Sequence, residues 1–291
     1  MGKKPHLSMA DVDSLTFEDG CLFHDIRGRA HEAPTPLAPL ADTHGHLGSL
    51  EDHDAALSLA RAALAGVRLL VCPIDPAFAH EFPDTWKDPQ ALEAWFGKTI
   101  AKAREYLERF AECGLVQPTF AGAYENVPEL LENVFVIAGA HPYSAADFDD
   151  DARARMEQLL ACERTLGVGE IGLDFGPYCE VCEEAQVRAF RAQLRMAHEH
   201  RLPVELHLRD GEGNTHAHDV ARTILEQEGV PEAGCDLHCF TDDVEVMAPF
   251  VELGCYVAFG GAATFKRSED IRSAALACPS AQILSETDAP Y

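Results

Sequence analysis

The sequence predicts an α/β fold: a single-domain TIM-type (β/α)8 barrel with an N-terminal extension and no closing C-terminal helix. Three observations predict it. The 291 residues, 47% of them hydrophobic, accommodate one barrel of about 250 residues with some chain left over. Apolar runs of strand length alternate with amphipathic segments of helix length, the pattern of βα units around a parallel sheet. Charged and imidazole side chains recur at the carboxyl ends of those runs, where barrel enzymes place their active sites.

The extension comprises residues 1–39 and the barrel residues 40–291. Within the extension, Asp19-Gly20 lies between apolar runs in Leu15–Phe23 and reads as the turn of a hairpin. Pro34, Pro36 and Pro39 form a stiff lead-in to the first strand. Eight strands follow: Leu40–Leu47, Val67–Ile74, Val134–His141, Gly167–Asp174, Pro203–Arg209, Cys235–Thr241, Cys255–Gly260 and Ile283–Asp288. Between the second and third, Leu92, Trp95, Phe96, Ile100, Ala103, Tyr106, Leu107 and Phe110 recur at helical spacing. That connection has room for two helices. Phe190, Leu194 and Ala197 mark a helix before the fifth strand. The sequence ends at Tyr291, with no helix after the eighth strand. Parallel barrel strands are buried on both faces. The extension is therefore expected either to cover the seam between strands one and eight or to seal the barrel bottom.

Charge and cysteine content narrow the function classes. Lys+Arg 23 against Asp+Glu 49 gives a net charge of −26. So acidic a surface repels phosphate backbones at long range and argues against broad, non-specific nucleic-acid binding. Bound divalent cations would reverse that field locally. No apolar core follows Lys3 and Lys4, and no stretch approaches the roughly 18 apolar residues of a membrane span. A cytoplasmic protein with no membrane partner is expected. The ten cysteines then read as reduced thiols. Cys179-x-x-Cys182 has a zinc-site spacing, but the one other close pair, Cys235 and Cys239, flanks His238. A non-enzymatic metal or redox protein built on these cysteines is disfavoured by the open-site ligands below.

Asp42-Thr-His44-Gly-His46 ends the first strand. Residues two apart on a strand share a face, so His44 and His46 point together into the barrel mouth, above Asp42. Alone, the pair reads equally as a chelate or as hydrogen-bonded histidines. The other strand ends change the balance. The third carries His141, the fourth Glu170 and Asp174, the fifth His207 and Arg209, the sixth His238, and the eighth Glu286 and Asp288. Burying each such group unpaired costs several kcal/mol, and a cation offsets that cost.

Asp42-Thr-His-Gly-His46, Gly169-Glu-Ile-Gly-Leu-Asp174, Leu202-Pro-Val-Glu-Leu-His-Leu-Arg209, His238-Cys-Phe240 and Glu286-Thr-Asp-Ala-Pro-Tyr291 occur in this order. The chain from Leu40 to Tyr291 resembles the TatD family of metal-dependent deoxyribonucleases in the amidohydrolase superfamily. The resemblance implies two divalent cations, one held by His44, His46 and Asp288, the other by His207 and His238, with Glu170 bridging both. Imidazole plus carboxylate suits zinc, manganese or magnesium. It makes Asp288 and Glu170 the catalytic carboxylates, with Asp288 orienting and deprotonating the attacking water. His141 and Arg209 are candidate substrate contacts, and Arg209 could instead pair with an acid such as Glu286.

Four departures from the family pattern stand out. Glu205 and Asp236 lie one layer beneath His207 and His238, where they could support the ligand histidines or form a structural pair. The loop Asp210–His218 is long, and its His216 and His218 read as solvated. The long connection before the third strand and the loop of Cys179 and Cys182 could reshape the pocket. The closing helix is missing. The function read from all this is a two-metal deoxyribonuclease acting on DNA. The alternative is a hydrolase of a small ester, lactone, amide or aminoacyl ester on the same site, since function belongs to the pocket and not the fold.

Overall fold

The structure is a computed structural model and describes residues 7–49, 53–78 and 88–291. Its first element is a helix, α1 (Met9–Asp19), where the sequence suggests a hairpin. Ser8 caps it reciprocally with Asp11, and Gly20 ends it at φ 76. Asp19-Gly20 is thus a helix stop, a role glycine fills as readily as a turn. The hairpin comes later and is short: β1 (Phe23–His24) pairs antiparallel with β2 (Ala30–His31).

The barrel follows. Its strands are β3 (Leu40–Asp42), β4 (Val67–Ile74), β5 (Val134–Ala138), β6 (Thr165–Asp174), β7 (Val204–Arg209), β8 (Cys235–Leu237), β9 (Tyr256–Phe259) and β10 (Ile283–Ser285). Between them run α2 (Ala55–Leu64), α3 (Pro89–Glu112), α4 (Asp150–Leu160), α5 (Glu183–His200), α6 (His216–Glu228), α7 (Val244–Glu252) and α8 (Glu269–Ala277). The strands pair in parallel in sequence order. β3 and β10 meet through Thr43 N to Ser285 O (3.0 Å), Asp288 N to His44 O (2.9 Å) and His46 N to Ala289 O (2.8 Å). The result is an eight-stranded TIM-type barrel.

Several ladders end sooner than their apolar runs. β3, β8 and β10 each stop before the residues of chemical interest, because the chain curls out of the ladder there. Cys239 and Asp288 sit at φ 46 and 52. Among its described residues the long connection holds one helix, α3, and two short 3-10 turns. Leu92, Phe96, Ala103 and Phe110 on its inner face are fully buried, as the spacing predicts; residues 79–87 of this connection lie outside the described residues.

The described part of the extension packs beside α2 and α3. Phe17 of α1 stacks on Phe110 of α3, centroids 4.5 Å apart and nearly parallel. Arg61 of α2 reaches Asp13 Oδ1 (2.6 Å), Asp13 O (3.0 Å) and Thr16 Oγ1 (2.8 Å). Phe17 and Leu22 join the main core. The extension thus buries its apolar side chains on the α2–α3 side. At the seam, Leu40 and Ile283 stay 46% and 39% exposed.

Candidate metal centre

Glu170 owes its position to an irregularity in β6. The pairing register with β7 shifts between Val168 and Ile171, and Glu170 sits at φ 58. Such a conformation costs a non-glycine residue roughly 1 kcal/mol or more and clusters at functional sites. The glycines beside it permit the bend. A Cβ on Gly172 would lie 2.2 Å from His207 O, and one on Gly169 2.2 Å from Ile137 Cδ1. The Gly-Glu-Ile-Gly pattern is therefore a close-approach requirement on both neighbouring strands.

Around Glu170 the expected side chains converge. His44 Nε2 lies 3.0 Å from His46 Nε2, 3.9 Å from Glu170 Oε1 and 3.7 Å from Asp288 Oδ1. His46 Nε2 lies 3.7 Å from the same Glu170 oxygen and 3.3 Å from Asp288 Oδ1. His207 Nδ1 lies 3.2 Å from His238 Nε2. Three overlapping groups of potential ligand atoms lie within 4.8 Å of one another: His44, His238 and Asp288; His44, His46 and Glu170; His141, Glu170 and His207. His238 thus also neighbours the first group, and His141 comes within reach of Glu170. Arg209 stands at the rim, its Nη1 3.5 Å from Asp174 Oδ2, so its acid partner is Asp174 and not Glu286.

Beneath these atoms a supporting layer fixes the rings. Glu205 Oε1 accepts from His44 Nδ1 at 2.7 Å, leaving the Nε2 lone pair of His44 facing the cluster. Asp174 Oδ2 holds His207 Nε2 at 3.1 Å, which frees His207 Nδ1 in the same way. Carboxylate-oriented imidazoles of this kind are the common support of metal sites. Glu205 therefore holds His44, a residue of the cluster, across the barrel from its own strand. Asp174 is a supporting residue that the motif contains without announcing its role. His141 differs. Its Nδ1 accepts the Tyr143 N–H at 3.0 Å, so in the neutral ring the proton sits on Nε2, which faces Glu170 Oε1 at 3.9 Å. In that tautomer Nε2 offers a proton and no lone pair to the cavity.

The electrostatics suit cations. Burial pulls His44 toward neutrality, but Glu205, Glu170 and Asp288 outweigh it and push its pKa up to about 10. Burial and the neighbouring histidines hold His238 and His141 well below the usual range. Burial would raise Asp288, yet His46 and His44 keep it below the ordinary value. Burial pushes Glu286 up to about 8 and Asp236 well above the carboxylate range. His238 Nδ1, Glu286 Oε2 and Asp236 Oδ2 are buried without hydrogen-bond partners. Mixed imidazole and carboxylate donors, buried and converging, fit divalent cations.

The cluster opens into a cavity of about 900 Å³ lined by His46, His141, Glu170, His207, Arg209 and Asp288 among others. Sequence reasoning missed Asp75 in its wall, after β4. Its carboxylate accepts from His141 N (3.0 Å), Ala77 N (2.7 Å) and the Ser144 hydroxyl, and burial pushes it up to about 6. Phe78, from the long connection, lines the cavity; Cys179 and Cys182 do not. All ten cysteines are free thiols, and among the described residues none joins a potential metal group. His218 is not a solvated loop residue. It is buried on α6, with Nδ1 2.5 Å from Asp210 Oδ2. His216 is exposed and meets Glu183.

Barrel and donor set together define a class, the metal-dependent hydrolases of TIM-type architecture. The model of the TatD-related DNases matches residues 41–291, and the chain belongs to that family. It is 34% identical over 191 residues to a Bacillus subtilis protein named as the uncharacterized metal-dependent hydrolase YabD, covering 66% of this chain and 71% of that one. It is 36% identical over 155 residues to the Escherichia coli 3'-5' ssDNA/RNA exonuclease TatD, covering 53% and 57%. The crystal structure of the E. coli TatD homologue YjjV superposes with a TM-score of 0.60 at 26% identity, over 86% of this chain and 79% of that one. The chain is a metal-dependent hydrolase acting on ester bonds. Among the described residues no helix is long and apolar enough to cross a membrane.

Proposed function

We propose that the chain is a two-metal nuclease that hydrolyses phosphodiester bonds of DNA. The observation that carries this is the convergence of His44, His46, Glu170, His207, His238 and Asp288 within one open cavity. The name of the E. coli exonuclease, similar over about half its length, supports the same substrate class. His44, His46 and Asp288 would hold one cation, His207 and His238 the other, and Glu170 would touch both. Two divalent cations supply Lewis acidity and make water acidic enough to attack phosphorus near neutral pH.

The chain's own residues do the remainder. Glu205 and Asp174 fix the rings of His44 and His207. The Asp288 carboxylate, kept anionic by His46 and His44, accepts the proton of the attacking water. His141 Nε2–H donates to a non-bridging phosphate oxygen. Arg209, whose side chain is 48% exposed, meets the phosphate from the rim, steadied by Tyr143 OH at 3.4 Å. The cytoplasmic setting expected of ten reduced thiols belongs to the same proposal.

Purified protein loaded with manganese, magnesium or zinc tests the reading against single-stranded DNA, duplex DNA and a panel of small esters and lactones. Release of nucleotides from DNA supports it. Turnover of the small esters with DNA left intact would replace it with the small-ester alternative.

A further inference from the structure

The loop after β9, residues 261–268, stands on the carboxyl face of the barrel, the face that carries the cavity. Its backbone is held from below. Arg272 of α8 donates from Nη1 to Ala263 O (3.0 Å) and Phe265 O (2.7 Å), and from Nη2 to Lys266 O (3.4 Å). Thr264 Oγ1 closes the first turn onto Gly261 O at 2.7 Å. One guanidinium thus fixes three carbonyls and leaves the side chains of Phe265, Lys266 and Arg267 outside. Phe265 is 64% exposed, and Lys266 and Arg267 are exposed beside it.

This cluster is out of keeping with the rest of the surface. The chain carries more than two acids for each base, 49 against 23. Yet among the described residues neither Lys266 nor Arg267 pairs with an acid. Histidines aside, Arg209 is the one cation lining the cavity among the described residues. A polyanion whose end enters the cavity has few positive contacts inside it, and two more cations with an aromatic face wait on the same side of the barrel. Aromatic rings beside Lys or Arg are the usual means of holding single strands: bases stack and phosphates are neutralised, without sequence readout.

We propose that Phe265, Lys266 and Arg267 form a strand-holding rim. Phe265 stacks on a base of single-stranded nucleic acid several nucleotides from the bond being cut, and Lys266 and Arg267 neutralise the phosphates flanking it. The inference rests on the nuclease reading and adds a surface that binds strand length and not the scissile bond.

The test compares a dinucleotide with a single strand of about ten nucleotides as substrates of the manganese-loaded protein. Phe265→Ala should raise KM for the longer strand roughly ten-fold, in line with the stacking of one base, and leave kcat/KM for the dinucleotide unchanged. Phe265→Trp should restore the longer strand. Lys266→Ala with Arg267→Ala should flatten the salt dependence of binding by roughly 0.7 of a logarithmic unit per lost contact, read by fluorescence anisotropy of a labelled non-cleavable strand. Unchanged KM for the longer strand in Phe265→Ala overturns the proposal. So does an equal loss on both substrates, which would place the loop in the chemistry. Wild-type inactivity on every nucleic acid would instead fail the nuclease reading, in an arm scored before any variant is made.

Discussion

Glu170 is held in a left-handed backbone conformation between two glycines that cannot grow a side chain, and its carboxylate faces His44, His46 and His141 at once. In the proposed two-metal assignment, removing it takes away the carboxylate common to both donor sets. Glu170→Ala is expected to abolish hydrolysis, at least a 1,000-fold loss by analogy with other groups acting in the transition state (roughly 10²–10³ for a single donor), while circular dichroism stays native. Wild-type turnover in this variant with two cations bound would remove the bridging role. Glu205 acts at one remove. It touches only His44 Nδ1 among the ligand atoms, so Glu205→Gln should weaken divalent-cation affinity about 10–100-fold, as titration calorimetry would read. At saturating metal the turnover should largely recover. That His44, His46, Glu170, His207, His238 and Asp288 would gather at one barrel end is legible in the sequence because six polar groups end apolar strands. Glu205 is legible as an inward-facing acid able to support a histidine, but its partner is not, because it reaches His44, 161 positions away, a partnership that exists only once the barrel closes.

The elements divide in the same manner. Buried parallel strands are continuous apolar runs, so all eight are visible in the sequence. The first helix is hidden because Asp-Gly serves equally as hairpin turn and helix stop, and the deciding signal is the reciprocal cap between Ser8 and Asp11. The start of α6 is hidden for a related reason. Thr215 at its N-cap makes no side-chain hydrogen bond, and the cap comes from Asp210, which accepts from Ala217 N at 2.5 Å. His218 is thereby drawn into a helix where the sequence shows only a polar loop. The docking of α1 makes a prediction at this scale. Phe17→Ala removes a ring stacked on Phe110 and should cost about 1–3 kcal/mol for a partly buried aromatic. Thermal unfolding should shift down by several degrees; an unchanged midpoint would mean that the extension does not brace α2 and α3.

Over the whole molecule, the barrel concentrates Glu170, Glu205, Asp236, Glu286 and Asp288 at one end of a chain that is already at −26. A cation that binds only the folded state adds stability as the logarithm of its concentration, about 2.7 kcal/mol at a hundredfold excess over Kd. Chelator should therefore abolish activity and lower the unfolding temperature together, and manganese should restore both. A melting curve indifferent to chelator would contradict a cation held by this cluster. The distribution of the donors also matters during synthesis. His44 and His46 stand just beyond the first strand of the barrel and Asp288 just beyond its last, and Asp288 N donates to His44 O across the closure. A chain emerging from the ribosome exposes its paired histidines long before the aspartate that joins them exists. If these three residues hold a cation as proposed, its capture should be a terminal event of folding, and the rate at which a refolding sample takes up the cation would be a clock for closure of the barrel.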